Sequence, residues 1–174
     1  MTEVPLLIIS GPVGVGKTST GEEVSNILVR RNIAHTLIDL DCLAETYPRP
    51  ENDKYGTILA YRNLARVWEN CQAAGSKNLV VARVIESNKD TQAICSSVPY
   101  SKPIVCQLIA SDTTLIDRVR KREIGSGLEH HEKRSLELAS SLGENAPADF
   151  VVDTNGKTIV EIASRVVNEI VWAT

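Results

Sequence analysis

Three glycines fall within six residues near the start of the chain, and a lysine and two hydroxyl side chains follow them at once. They are Gly11, Gly14 and Gly16, in the sequence IISGPVGVGKTS of residues 8–19. Glycine loses more conformational freedom on folding than other residues, so each costs roughly 0.5–1 kcal/mol relative to alanine in regular structure. A chain that concentrates glycine in this way needs bare backbone at this point.

Residues 11–18 match the pattern G-x-x-x-x-G-K-[ST] between a predicted strand and a predicted helix. Glycines let successive backbone N–H groups surround a phosphate, and the helix N-terminus adds the positive end of its dipole. We therefore expect a nucleoside triphosphate site, with Lys17 at the β- and γ-phosphates, Thr18 as a Mg²⁺ ligand and Ser19 at the α-phosphate. A glycine-rich turn of purely structural use is the alternative. The loop residues expected to bind the nucleotide are Gly11, Val13, Gly14, Val15 and Gly16.

Apolar runs alternate with helical patterns along the rest of the chain, which predicts an α/β fold. Near-continuous apolar strands separated by helices are typical of a parallel sheet covered on both faces. Thr158 and Glu161 form a T-x-x-E capping box for the last helix. Strands are predicted at 4–10, 35–40, 79–85, 104–109 and 150–152, and helices at 17–31, 55–74, 111–124, 128–142 and from 158 onward.

Composition limits the classes of protein that fit. The 174 residues are 43% hydrophobic, which suits a single domain over residues 1–174 with a real core. A net charge of −3 gives no basic excess for nucleic acid, and no apolar run approaches the roughly 18 residues of a membrane span. Four scattered cysteines without a CxxC pair suggest reduced thiols and a cytoplasmic protein. We expect neither a nucleic-acid nor a membrane partner, and the oligomeric state stays open.

Two carboxylates, Asp39 and Asp41, come at the carboxyl end of the second predicted strand. The period of two sends both side chains to one face, and ligands of open α/β sheets bind beyond the carboxyl ends of strands. One carboxylate is a candidate for the Mg²⁺ shell and the other for the base that accepts a proton from an attacking hydroxyl. The alternative is that one of them only caps the helix that follows.

Taken together, the glycine-rich loop, the LIDLD strand of residues 37–41, an arginine-rich segment and the terminal VVDTNGKTIVEIA of residues 151–163 resemble the small P-loop kinases. This group includes gluconate, shikimate and adenylylsulfate kinases and chloramphenicol phosphotransferase, and its fold is related to that of nucleoside monophosphate kinases. The resemblance implies a three-layer P-loop NTPase sandwich, with a five-stranded parallel sheet in the order 2-3-1-4-5, helices on both faces and a small helical lid. It also implies ATP and Mg²⁺ as cofactors and a small-molecule hydroxyl as acceptor. In these kinases an aspartate just after the second strand meets the acceptor, so Asp41 is the closer match and Asp39 the alternative.

The lid by this resemblance is about residues 118–134, within DRVRKREIGSGLEHHEKR of residues 117–134. Arg118 and Arg122 lie one helical turn apart and share a face. The resemblance implies that Arg118 stacks on adenine, that Arg122 reaches the transferring phosphate, and that Gly125, Ser126 and Gly127 form a hinge. A solvated basic helix face is the alternative reading of the arginines. Arg134 is a weaker candidate, and His130 and His131 are expected at the surface.

The loop of Asp153, Thr154 and Asn155 resembles the segment that borders adenine in these kinases, largely through backbone contacts. A turn at Asn155 and Gly156 without a ligand is the alternative.

Arg83 departs from the family pattern, because it stands inside the otherwise apolar third strand. We expect it either to face the site or to pair with an acid. The monophosphate kinase signature after that strand is missing, which argues against a nucleotide acceptor. The expected acceptor region is residues 42–55, with Tyr47, Pro48, Arg49 and Pro50, and Arg62 beside it. Its composition suits a polar acceptor that is anionic or polyhydroxylated.

The sequence therefore predicts a kinase that transfers phosphate from ATP to a hydroxyl of a metabolite or antibiotic. Two other functions stay open at this point. One is a regulatory nucleotide-binding ATPase without a small acceptor, and the other is a toxin-like kinase of nucleotide sugars.

Overall fold

The structure, a computed structural model, describes residues 3–122, 125 and 127–172. Five strands form one parallel sheet in the order β2-β3-β1-β4-β5, which confirms the predicted fold class and strand order. The strands are β1 Val4–Ser10, β2 His35–Asp39, β3 Asn78–Ala82, β4 Ser101–Ile109 and β5 Phe150–Asp153. The helices are α1 Lys17–Arg30, α2 Thr57–Ala73, α3 Asn88–Ser97, α4 Asp112–Arg122, α5 Leu128–Asn145 and α6 Ile159–Glu169.

β1 lies at the centre of the sheet and divides the core into two layers. Its Leu7 and Ile9 belong to an apolar cluster with α1 and α6, whereas Leu6 and Ile8 belong to a second cluster with α2 and α3. This follows from the alternation of side chains along a strand, and it explains why this central strand is apolar at every position before Ser10. The result is the predicted three-layer sandwich.

The helices bury the faces that their spacing predicts. Val24, Ile27 and Leu28 of α1 are buried, and so are Leu64 and Trp68 of α2. The capping box of α6 also forms, since the Thr158 Oγ1 accepts from the Glu161 N–H while the Glu161 carboxylate accepts from the Thr158 N–H. The apolar spacing and the cap therefore fix where these helices begin and what they cover.

The third strand is shorter than predicted, because it ends at Ala82 rather than at residue 85. The Arg83 N–H still donates to the Ile9 carbonyl at 3.1 Å. Two residues later the Ile85 N–H turns to the side-chain oxygen of Ser10 at 2.9 Å, so the ladder stops. Arg83 consequently lies just beyond the strand, at the edge of the sheet where the P-loop begins.

Helix α3 has no counterpart among the predicted helices. It begins after Ser87, and the Asp90 carboxylate accepts from the Ser87 N–H at 2.8 Å in a capping box. Only Ile94 of this helix is fully buried, so its apolar periodicity is weak. The serine and the acid three residues later were the available signal.

The described part of the predicted lid comprises the end of α4, Gly125, Gly127 and the start of α5. Glu123, Ile124 and Ser126 of that segment lie outside the described residues, and the predicted hinge at 125–127 is therefore covered only in part. Within the described ranges, none of the helices combines the length and apolarity needed to cross a membrane.

Candidate active site

The glycine-rich loop adopts a conformation that only glycine tolerates well. Gly11 has φ +141° and Gly14 has φ +83°, both in the left-handed half of backbone space. A Cβ atom at Gly11 would lie 2.5 Å from the Leu108 carbonyl oxygen, and one at Gly14 would lie 2.8 Å from Cγ2 of Val119. The loop is thus packed too closely against β4 and α4 for a side chain at Gly11 or Gly14, which explains why the sequence has glycine at these two positions.

Side chains from three elements hold the carbonyl groups of this loop. The Lys17 ammonium donates to the Gly11 and Pro12 oxygens at 2.9 and 3.1 Å. Arg118 of α4 donates to the Val15 oxygen at 3.1 Å, and Ser135 of α5 donates to the Val13 oxygen at 2.6 Å. Helices α4 and α5 are therefore both hydrogen-bonded to the glycine-rich loop.

Ser135 was missed by the sequence reasoning. It is fully buried, and it shares the i, i+3, i+7 stripe of α5 with Leu138 and Leu142. A polar residue within an apolar stripe must find a partner inside the protein, and this was the signal that could have singled it out.

Lys17 carries a charge that burial disfavours. Its burial lowers the pKa of the ammonium from 10.5 to about 8. The carboxylates of Asp41 and Asp39 act in the opposite direction, while the guanidinium groups of Arg122 and Arg83 lower this pKa further. The charges of these four side chains therefore all lie within electrostatic reach of the Lys17 ammonium.

Thr18 and Asp39 provide two adjacent oxygen ligands. The Thr18 hydroxyl donates to Oδ2 of Asp39 at 2.7 Å, although 21 residues separate them in sequence. Hydroxyl and carboxylate oxygens suit Mg²⁺, which usually takes few protein ligands and completes its shell with phosphate and water. No group of three or more histidine, cysteine or acidic side chains suited to a metal occurs in the described ranges.

Asp41 is placed differently from the prediction. β2 ends at Asp39, and Asp41 has helical backbone angles at the start of a short 3₁₀ turn, Cys42–Ala44. The two-residue period of a strand therefore does not reach Asp41. A hydrogen bond from the Asp41 N–H to Oδ1 of Asp39 at 3.0 Å links the two residues instead. Asp41 is the N-cap of that turn, but its side chain makes no capping hydrogen bond.

Arg83 both faces the site and pairs with an acid. Its Nη1 atom donates to the Asp41 carboxylate, and its Nη2 atom donates to the Thr57 hydroxyl at 3.3 Å. The contact joins the ends of β2 and β3 to the start of α2.

A cavity of about 680 Å³ opens beside these residues. Val13 of the glycine-rich loop borders it on one side and Asp41 on another, so the cavity adjoins both the loop and the end of β2. Tyr55 and Thr57 add an aromatic and a hydroxyl group. The charged groups that line it are Asp41, Arg83, Glu86, Asp90, Arg134 and Glu137.

Most of the expected acceptor region lies elsewhere. Of residues 42–55, Tyr55 alone is among the described residues that line the cavity. Tyr47 is 96% exposed, and Arg49 bonds to the Ala44 carbonyl. Arg62 is exposed on α2 and outside the lining. These side chains follow the strand in sequence, but the 3₁₀ turn and the loop after it carry them away from the sheet edge.

Four residues of α5 line the cavity instead: His130, Arg134, Glu137 and Leu138. Arg134 bonds to Glu86 at 2.7 Å and lies 3.9 Å from Glu137. His130, which the sequence assigned to the surface, is exposed but also borders the cavity.

Arg118 and the loop after β5 form a second group on the other side of the P-loop. Besides Val15, Arg118 donates to the Thr154 hydroxyl at 2.9 Å and to the Thr154 carbonyl at 3.0 Å. Thr154 is buried, and its N–H donates to the Ile109 carbonyl. The Asn155 backbone N–H donates to the Asp153 carboxylate and lowers its pKa. This side of the loop is therefore held rigidly by protein contacts at Thr154.

A scan against protein-family models gives no match, and a comparison with curated protein sequences gives none either. Solved structures do match along nearly the whole chain. A sugar kinase from Janibacter sp. has a TM-score of 0.64 at 15% identity and covers 96% of this chain and 94% of its own. A Deinococcus radiodurans tunicamycin resistance protein has a TM-score of 0.63 at 18% identity, with 96% and 95% covered. A gluconokinase from Sinorhizobium meliloti has a TM-score of 0.59 at 18% identity, with 97% of each chain covered.

The fold is that of the P-loop kinases of small molecules, as the resemblance in the sequence implied. At these identities the likeness defines the fold alone, so the chemistry must be argued from the site residues of this chain.

Proposed function

We propose that this protein transfers the γ-phosphate of ATP to a hydroxyl group of a small molecule, with Mg²⁺ as cofactor. The observation that carries the proposal is the cavity of about 680 Å³ bordered by both Val13 of the glycine-rich loop and Asp41. A nucleotide switch needs no second compartment beside the γ-phosphate position, whereas a kinase needs one for its acceptor.

The nucleotide side of the site follows from the loop. Backbone N–H groups of residues 11–18 and the N-terminus of α1 would hold the phosphates. Lys17 would bind the β- and γ-phosphates, and the relief of its buried charge favours this. Thr18 and Asp39 would hold Mg²⁺, which, when bound, offsets the charge that develops on the phosphate oxygens. Ser19, exposed at the start of α1, remains the candidate for the α-phosphate.

Asp41 is the proposed general base. It would accept the proton of the acceptor hydroxyl as that oxygen forms a bond to the γ-phosphorus. The bond from the γ-phosphorus to the bridging oxygen breaks at the same time, and ADP leaves with that electron pair. Asp39 is less suited to this role, because its two oxygens already accept from Thr18 and from the Asp41 N–H.

Arg118, Asp153 and Thr154 remain the proposed border of the adenine, and Arg122 the proposed ligand of the transferring phosphate. Support for Arg122 comes from its charge, which is close enough to lower the pKa of Lys17. Support for Arg118 comes from its position between the P-loop and the loop after β5. Because the Thr154 N–H and carbonyl are already hydrogen-bonded within the protein, we propose that this loop contacts the face of the adenine ring rather than its edge.

The cavity favours a neutral or amine-bearing polyhydroxylated acceptor over an anionic one. Four carboxylates and two guanidinium groups line it, a formal charge of −2 with His130 neutral. Arg83 is paired with Asp41 and Arg134 with Glu86. An acceptor with a carboxylate would therefore meet two guanidinium groups whose charge an acid already offsets, next to the negative charge of the triphosphate.

The test is a screen for acceptor-stimulated release of ADP. Purified protein with ATP and Mg²⁺ is offered neutral, amine-bearing and acidic polyols and hydroxylated antibiotics, and Asp41→Asn is run beside it. We expect a subset of neutral or amine-bearing compounds to stimulate ADP release in the wild type and not in the variant. ADP release that no acceptor changes contradicts the proposal.

A further inference from the structure

Arg83 is held more firmly than a ligand-binding arginine needs to be. Its side chain is only 14% exposed, and its backbone N–H donates to the Ile9 carbonyl of the central strand. Both terminal nitrogens of the guanidinium are engaged, one by Asp41 and the other by Thr57. The side chain is thus a fixed bridge between the sheet and the start of α2.

Asp41 by contrast has little else to fix it. Its side chain is 60% exposed, and it lies in a turn just outside β2. Arg83 engages Oδ1, and within the described ranges Oδ2 has no hydrogen-bond partner. When one oxygen of a carboxylate is held in place, the other oxygen faces in one fixed direction, from which a hydrogen-bond donor can approach it.

We propose that Arg83 is a positioning residue for phosphoryl transfer: it fixes Oδ1 of Asp41 so that Oδ2 accepts the acceptor's proton. This inference rests on the proposed function, because it assigns to Arg83 a role through the base. The guanidinium also offsets the charge of a carboxylate that must stand beside a triphosphate. The role assigned to Arg83 is its contact with Asp41, which one terminal nitrogen makes while the other bonds to Thr57.

A double-mutant cycle tests this role directly. The four proteins are the wild type, Arg83→Gln, Asp41→Asn and the double variant, and the measured quantities are kcat and the KM for ATP. Loss of a charge-assisted hydrogen bond should lower kcat roughly 10- to 100-fold in Arg83→Gln. If Arg83 acts through Asp41, the same change in the Asp41→Asn background should lower kcat by less than about 3-fold. The KM for ATP should stay near the wild-type value throughout.

Arg66→Gln is the matched control, because Arg66 is 82% exposed on α2 and pairs with Glu69 three residues on. It should leave kcat unchanged. If Arg83→Gln proves unfolded by circular dichroism, Arg83→Lys replaces it in the same cycle. Equal losses of kcat in both backgrounds would overturn the inference, because they would mean that Arg83 acts on the substrate or on the fold.

Urea unfolding of the same four proteins separates this inference from the proposed function. Non-additive shifts of the midpoint are expected from the Arg83–Asp41 pair whether or not an acceptor is known. Additive shifts would mean that the pair does not form in solution and would overturn the inference. A wild type without any phosphoryl transfer contradicts the proposed function instead.

Discussion

Replacing Lys17 with methionine is expected to remove ATP binding without destabilising the nucleotide-free protein at neutral pH. The ammonium lies partly buried in the P-loop, and its pKa falls from 10.5 to about 8. At 1.36 kcal/mol per pKa unit, keeping that charge in the folded state costs about 3 kcal/mol near pH 7. Methionine avoids this cost but leaves the Gly11 and Pro12 carbonyls without their ammonium donor, at about 1–3 kcal/mol. The net change should be a gain of about 0–2 kcal/mol in the free energy of unfolding.

The pH dependence of the stability difference between wild type and Lys17→Met tests the lowered pKa of Lys17 more directly than the difference at a single pH does. Between the folded pKa of about 8 and the unfolded value of 10.5, the unfolded chain holds a proton on Lys17 that the folded chain has lost. The wild type therefore gains stability as the pH rises through this window, and the variant lacks that gain. From about pH 7 to about pH 10 the wild type should gain about 2.5 kcal/mol relative to Lys17→Met. Other titrating groups, such as the buried Cys106 with its raised pKa, occur in both proteins and cancel.

Urea denaturation across that pH range measures the stabilities, and isothermal titration with ATP measures binding. Lys77→Met is the matched control, because Lys77 is exposed before β3, at the opposite end of the sheet from the P-loop. It should change neither quantity. If the difference in the free energy of unfolding between wild type and Lys17→Met does not change with pH, the explanation by a lowered pKa of Lys17 is wrong. Wild-type affinity for ATP in the variant would refute the phosphate site.

Four further substitutions test other parts of the site. Asp41→Asn should lower acceptor phosphorylation by roughly 10²–10⁴-fold with ATP binding intact. Asp39→Asn should instead raise the Mg²⁺ concentration needed for the half-maximal rate. Steady-state kinetics across a magnesium titration separate the two variants, and the reverse pattern would exchange the roles of the two aspartates. Gly14→Ala should cost at least about 2 kcal/mol in urea unfolding, since alanine is strained at φ +83° and its Cβ would meet Val119; an unchanged midpoint would mean that the loop relaxes freely. Arg118→Ala should mainly raise the KM for ATP, because its contacts hold Val15 and Thr154; a loss confined to kcat would place it at the transferring phosphate instead.

The sequence predicts most of the fold because its local signals agree with one another. Glycine, lysine and threonine occur at fixed spacing between an apolar strand and a helix, and the structure places β1 and α1 there. The strand order came from the resemblance rather than from any residue pattern. Helix α3 escaped prediction because it buries only Ile94 fully, so its sequence lacks the apolar period that identified the other helices.

The candidate site was less predictable, because long-range contacts assemble it. The contacts of Thr18 with Asp39 and of Arg83 with Asp41 depend on the order of the strands in the sheet, and no local period specifies either pair. Proximity in sequence to Asp41 suggested residues 42–55 as the acceptor wall. The cavity is lined instead by residues after β3 and on α5, such as Glu86 and Arg134, which approach Asp41 only in the folded chain.

The most direct measurement of the central claim follows the fate of the γ-phosphate. ATP labelled in that group is incubated with the protein, Mg²⁺ and an acceptor found in the screen, and the labelled products are separated. We predict that the label moves to the acceptor in the wild type and that Asp41→Asn lowers this transfer by at least about 100-fold. Label that appears only as inorganic phosphate, at a rate independent of the acceptor, would contradict the claim and would identify an ATPase without a small-molecule substrate.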